Sequence, residues 1–113
     1  MITHRTSGDV AVLVPRLREV SVHNDIEALD AHIEDLAAAG NRHLVISLSD
    51  TKGCADDVSA LLVKVRLRYD KLKGRVVVSD LTRDLTSCFR AWRIDQVIEV
   101  YETEAEALSS FIP

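Results

Sequence analysis

Three short apolar runs, Val10–Val14, Leu44–Leu48 and Val76–Val78, are separated by stretches patterned as helices. Runs this short that are apolar at nearly every position suit strands buried on both faces of a sheet. Joining such strands through helices makes the pairing parallel, because a parallel crossover needs a long connection. An earlier segment, Ile2–Thr6, is followed by Ser7-Gly8-Asp9, a tight turn that adds an antiparallel hairpin at the start. Pro15, lacking a backbone donor, marks the end or edge of the second strand. The expected fold class is therefore α/β: a small mixed β-sheet of about four to five strands, with helices packed mainly on one face.

Asn24 and Glu27 read as an N-cap with its reciprocal acid. They open a helix over Asp25–Ala39 whose stripe is Ile26, Leu29, Ile33, Leu36 and Ala37, with Gly40 as its stop. The segment Leu17–His23 leads into it. A second helix begins at Asp56 or Asp57, turns Val58, Leu61, Leu62, Val65 and Leu72 inward, and puts Lys64, Arg68, Lys71 and Lys73 in water. Acids at its start and bases at its end suit the helix dipole, and Gly74 ends it. A short helix carries Leu81, Leu85, Cys88 and Phe89, and Val97–Tyr101 is a last strand. Thr103 and Glu106 then cap a closing helix bearing Ala107, Leu108 and Phe111. The 113 residues contain no Pro/Gly-rich linker, so one domain over 1–113 is expected.

Several function classes are disfavoured. A net charge of −4 without a basic stripe argues against nucleic acid as a partner. No apolar run approaches the roughly 18 residues needed for membrane insertion, and no export signal is visible, so a cytoplasmic protein is expected. In that setting Cys54 and Cys88 are expected as free thiols. No C-x-x-C or His-rich cluster offers a metal site, and Gly8, Gly40, Gly53 and Gly74 cannot assemble a phosphate loop. His4, His23, His32 and His43 read as solvated or capped, Cys54 as inert beside Asp56 and Asp57, and Trp92 as a buried or half-buried core aromatic rather than a ligand platform. The basic residues Lys64, Arg66, Arg68, Lys71 and Lys73 read as a solvated helix face, with docking of an acidic partner as the alternative. No catalytic residue and no cofactor follow from this pattern, and an enzyme is not expected.

From about Val10 to Phe111 the chain resembles a STAS domain, the fold of bacterial anti-sigma factor antagonists. The resemblance is carried by Asn41–Asp50, by Val58–Val78 and most specifically by Ile94–Leu108. In that family a loop reading aspartate-serine-serine-glycine-leucine precedes the long helix, and a kinase phosphorylates its second serine. Counted without gaps, the loop falls on Ala55-Asp56-Asp57-Val58-Ser59, which puts Asp57 at the phosphoacceptor position. Ala55 then replaces the family's aspartate and Val58 its glycine. The family's glycine-arginine-leucine-aspartate is replaced by Leu17-Arg18-Glu19-Val20. The resemblance implies a regulatory protein-binding module whose partner is an anti-sigma factor or serine kinase. Its contact would be made by Asp56, Asp57, Val58 and Ser59, with no phosphoacceptor at the family position. It also allows a structural subunit of an oligomeric signalling scaffold or of a transporter complex. Without the resemblance, Asp57 is simply a carboxylate at a helix start.

Overall fold

The computed structural model describes residues 2–17, 22–52 and 56–112. Strands β1 (Ile2–Ser7), β2 (Val10–Pro15), β3 (His43–Ser47), β4 (Arg75–Ser79) and β5 (Glu99–Tyr101) form one sheet in the order β1-β2-β3-β4-β5. β1 is antiparallel to β2, through a turn in which Gly8 has φ +62, and the other pairs are parallel. Helices α1 (Val22–Ala38), α2 (Asp56–Lys71), α3 (Arg83–Ala91) and α4 (Glu104–Ser109) fill the crossovers and the C-terminus. The expected mixed α/β sheet is what forms.

Alternation along the strands sorts the core into two layers. Leu13, Leu44, Ile46, Val76 and Val78 join Leu29 and Ile33 of α1, Leu62 and Val65 of α2, and Leu85 and Phe89 of α3 in the larger cluster. Their alternates Val10, Val12, Val45 and Val77 face the other way and pack with Ala107 of α4. Three helices thus share one face and α4 covers the other. Thr103 caps α4 as expected, its hydroxyl accepting from the Glu106 N–H at 3.2 Å.

Several local expectations need correction. α1 starts at Val22, so Asn24 lies within its first turn rather than at its cap; Val22 continues the spacing of Ile26 and Leu29, so the extra residues keep the helical phase. The last strand is only Glu99–Tyr101, because Ile94–Gln96 form a 3-10 turn whose Ile94 carbonyl accepts from both Val97 and Ile98. α2 ends at Lys71 with Lys73, not Gly74, in the left-handed region at φ 58. Gly74 is needed for a different reason: a Cβ there would stand 2.4 Å from the Arg42 carbonyl oxygen. Leu72 is only half-buried, whereas Tyr69, absent from the expected stripe, is wholly buried. Trp92 caps α3 and is 41% exposed, so it is not a core aromatic.

The free-thiol expectation also fails. Cys88 is disulfide-bonded. The chain has one other cysteine, Cys54, which lies outside the described residues. β3 and β4 are parallel and end at the same end of the sheet, where the Leu48 N–H reaches the Ser79 carbonyl at 2.9 Å.

Leu62 is 1% exposed and Leu67, a turn further on, is 55% exposed. Denaturant unfolding should show Leu62→Ala losing about 2–5 kcal/mol while Leu67→Ala stays within about 0.5 kcal/mol of the parent. Gly74→Ala, forced against backbone, should cost about 1–3 kcal/mol in the same assay.

Candidate functional site

Parallel strands deliver their carboxyl ends to one edge, where an α/β sheet places its loops and the starts of its helices. At this edge Ser47 and Ser79, both buried, donate to the Asp80 carboxylate at 3.1 and 2.7 Å. Asp80 itself takes φ 58, a conformation an aspartate tolerates better than most residues. The exit of β2 is strapped to the same edge: Leu17 N–H donates to the Asp50 carbonyl at 3.2 Å and Lys52 N–H to the Leu17 carbonyl at 2.9 Å. These contacts hold residues 47–52 from both sides.

α2 opens there, and its first residues divide by helical phase. Asp57 is exposed, whereas Val58 and Ser59 are buried at 3% and 7% exposure. Asp56 is the first residue of the helix and its side chain lies outside the described set, as do Ala55 and the Arg18–Val20 part of the departure after β2. The Ser59 and Thr51 hydroxyls are buried without a partner among the described residues. Of the four residues expected to meet a partner, Asp57 is therefore the one with a described, outward-facing side chain.

Beside Asp57 runs a groove of about 230 Å³ between α1 and α2, lined by Ile26, Glu27, Asp30, Asp57, Ala60, Leu61 and Lys64. The α1 side of this groove carried no functional expectation, since only the tertiary packing of the two helices creates it. Its rim is charged and its floor apolar, a composition suited to a protein segment more than to a small polar metabolite.

The basic residues of α2 are largely committed within the chain. Lys64 pairs with Asp30 at 2.7 Å, Arg68 with Asp30 at 3.2 Å and Glu34 at 3.3 Å, and Arg66 with Asp70 at 3.1 Å. Arg66 also donates to the Val97 carbonyl. Arg68 is half-buried in the α1–α2 seam rather than solvated. This face is neither a plain solvated surface nor a free cationic patch. Burial pushes the Asp30 carboxyl up, but hydrogen bonds and charge from Lys64 and then Arg68 outweigh it and hold the group below its ordinary value. Deeper in the seam, burial drives the Tyr69 hydroxyl up to about 12 against the nearby Arg42 and Arg68, so it stays a donor, to Asn41 at 2.7 Å.

The histidines sit at the surface in pairs: His43 Nδ1 lies 3.1 Å from an Asp9 carboxylate oxygen, and His32 Nε2 lies 3.3 Å from His4 Nδ1. His23 has no described side chain. Among the described residues no three His, Cys, Asp or Glu side chains gather as a metal site, and no helix is long and apolar enough to cross a membrane.

With this geometry the chain superposes on a group of solved structures. A Thermotoga maritima protein described as a candidate anti-sigma factor antagonist matches with a TM-score of 0.85 at 16% identity, over 97% of this chain and 93% of its own. An anti-sigma factor antagonist from Mycobacterium paratuberculosis matches with a TM-score of 0.81 at 19% identity, over 97% and 92%. The fold is the STAS fold. The phosphorylated form of the Bacillus cell-fate determinant SpoIIAA shares it, with a TM-score of 0.72 at 13% identity over 97% and 98%. No family sequence profile matches the chain, and no curated protein aligns with it. At these identities the STAS likeness is one of architecture, and the residues at the start of α2 are judged on their own chemistry.

The paired Asp30 has a signed pH consequence. Its folded-state value is depressed, so its contribution is present at neutral pH and disappears as pH falls through that value. Asp30→Asn should cost about 0.5–1 kcal/mol at neutral pH, and the gap to the parent should close as pH falls below the ordinary aspartate range and through the depressed folded-state value. Urea melts of both proteins across that range check it.

Proposed function

We propose that this chain is a regulatory protein-docking module of the anti-sigma factor antagonist type, working without catalysis or cofactor. In this reading Asp57 is a permanent carboxylate at the position where such modules carry a phosphorylatable serine. Partner binding is then not switched by phosphorylation there. The partner is a protein, of the anti-sigma factor or serine-kinase kind, met in the cytoplasm, and 1–113 acts as one domain.

The observation that carries this reading is the placement of Asp57: exposed, in the first turn of α2, at the mouth of the α1–α2 groove. Its neighbours Val58 and Ser59 are turned into the core and set the helix position from beneath. A carboxylate at a helix start is electrostatically favoured whatever its purpose, by about 0.3–1 kcal/mol. That stabilisation explains why an acid is tolerated here, but not why it stands beside an apolar groove. A phosphoryl group would add about −1.5 to −2 charge, so a carboxylate reproduces only part of that field. Asp56 and Asp57 together bring the formal charge of the segment closer to it.

Asp57→Ser should change affinity for the native partner, and Asp57→Glu should change it less, because only the first removes the charge. When the charge is buried and paired in the complex, the change reaches about 2–5 kcal/mol. Stability should barely respond to Asp57→Ser, since serine is itself a good cap. The partner is captured from native lysate and affinities are measured by calorimetry alongside the melting temperature. An intact Asp57→Ser protein with parental affinity would refute the charge-mimic reading.

A further inference from the structure

Two histidines from distant parts of the chain meet on the α1 side of the sheet. His4 stands opposite Leu13 in the β1–β2 register, and Leu13 is wholly buried in the larger cluster, so both face α1. His32 sits on α1 next to Ile33, a wholly buried member of the same cluster. His4 is exposed and His32 is half-buried. Their rings meet edge to face at 82° with centroids 5.1 Å apart, and His32 Nε2 lies 3.3 Å from His4 Nδ1. That separation has a chemical meaning. Zinc–imidazole bonds of about 2.0–2.1 Å at a tetrahedral angle place two ligating nitrogens about 3.3–3.4 Å apart. A right-angled site with bonds of that length would bring them to about 2.8 Å. Without a metal, one ring N–H donates to the lone pair of the other ring, a contact that water replaces at little cost on a surface.

We propose that His4 Nδ1 and His32 Nε2 chelate one zinc(II) ion, which clamps the edge strand β1 to α1. Among the described residues no third His, Cys, Asp or Glu joins the pair, so water fills the remaining positions and the ion exchanges with solution. Both neutral rings then carry their proton on the far nitrogen, His4 on Nε2 and His32 on Nδ1. The proton that lay between the rings passes through water to the far nitrogen of its own ring, so ligation releases none. The clamp acts on a strand at the end of the sheet, paired with β2 on one side. A tie to α1 gives that strand a second anchor, on an element whose neighbouring side chains are already fixed in the core. The ion is structural, and the inference is independent of the docking proposed for Asp57.

The test uses the whole chain, stripped with a chelator and titrated with zinc chloride in a non-coordinating buffer by calorimetry. Saturable binding should appear, and His4→Ala and His32→Ala should each weaken it by about tenfold or more, since each leaves a single ligand. His43→Gln, at the other surface histidine contact, should leave the Kd within about twofold. Long-range proton–nitrogen spectra of the imidazoles should show zinc shifting His4 Nδ1 and His32 Nε2, and these spectra carry the assignment if a variant does not fold. Amide hydrogen exchange over Thr3–Thr6 in the parent should slow about tenfold at free zinc ten times the Kd, because opening the clamp requires the ion to leave. No saturable binding, parental affinity in either alanine variant, or β1 exchange unchanged by zinc would each overturn the proposal.

Discussion

The structure depends on parallel pairing through a sheet whose centre is sealed on both faces. Val45 and Val77 lie opposite each other across β3 and β4, wholly buried beneath α4. Their neighbours Leu44, Ile46, Val76 and Val78 are wholly or nearly buried under α1 and α2. A strand sealed this way can hydrogen-bond only to other strands, since an unpaired backbone group there would cost its full desolvation. The crossovers must then run over the faces and return to the starting end. That requirement gathers the exits of β2, β3 and β4 at one edge, where Leu17, Asp50 and Lys52 tie the exits of β2 and β3 together and Ser47, Ser79 and Asp80 those of β3 and β4. The proposed site is a consequence of the sheet's direction before it is a matter of any one side chain.

How much of this could be read from sequence follows from the range of each signal. Buried strands announce themselves locally: a run such as Leu44–Ile46 is apolar regardless of what covers it, so strand positions, element types and the mixed sheet were legible. Helix phase was equally local, and it marked Leu62 and Val65 as core. Boundaries were less so, because Val22 and Lys73 take up backbone states that their side chains permit but do not demand. Tyr69 escaped the stripe because a tyrosine is also at home on a surface, and its hydroxyl finds its partner in Asn41, distant in sequence. Gly74 was recognised as a punctuating residue, yet its reason lies in the backbone of Arg42 across the sheet.

The site divides along the same line. That a helix starts near Asp56 and Asp57 is a local fact, and so is the phase that exposes Asp57 while burying Val58. The groove is not local, because Ile26 and Glu27 meet Ala60 and Leu61 only once α1 and α2 dock. The bond at Cys88 was not legible, because a half-buried cysteine on a helix carries no local mark of whether its sulfur is paired.

The pairing pattern of α2 bears on what a partner could recognise. Lys64 and Arg68 share one face of the helix and Arg66 lies on another, and Asp30, Glu34 and Asp70 neutralise them within the chain. A partner that drew on those cations would have to break pairs already formed, and removing one member of a partly buried pair strands the other. On the proposed reading, recognition at the start of α2 would fall to the groove floor and to the acids at its rim. An apolar floor supplies binding free energy without much discrimination, whereas charge at the rim rejects like-charged surfaces and steers opposite ones. A single fixed carboxylate in such a place has leverage out of proportion to its size.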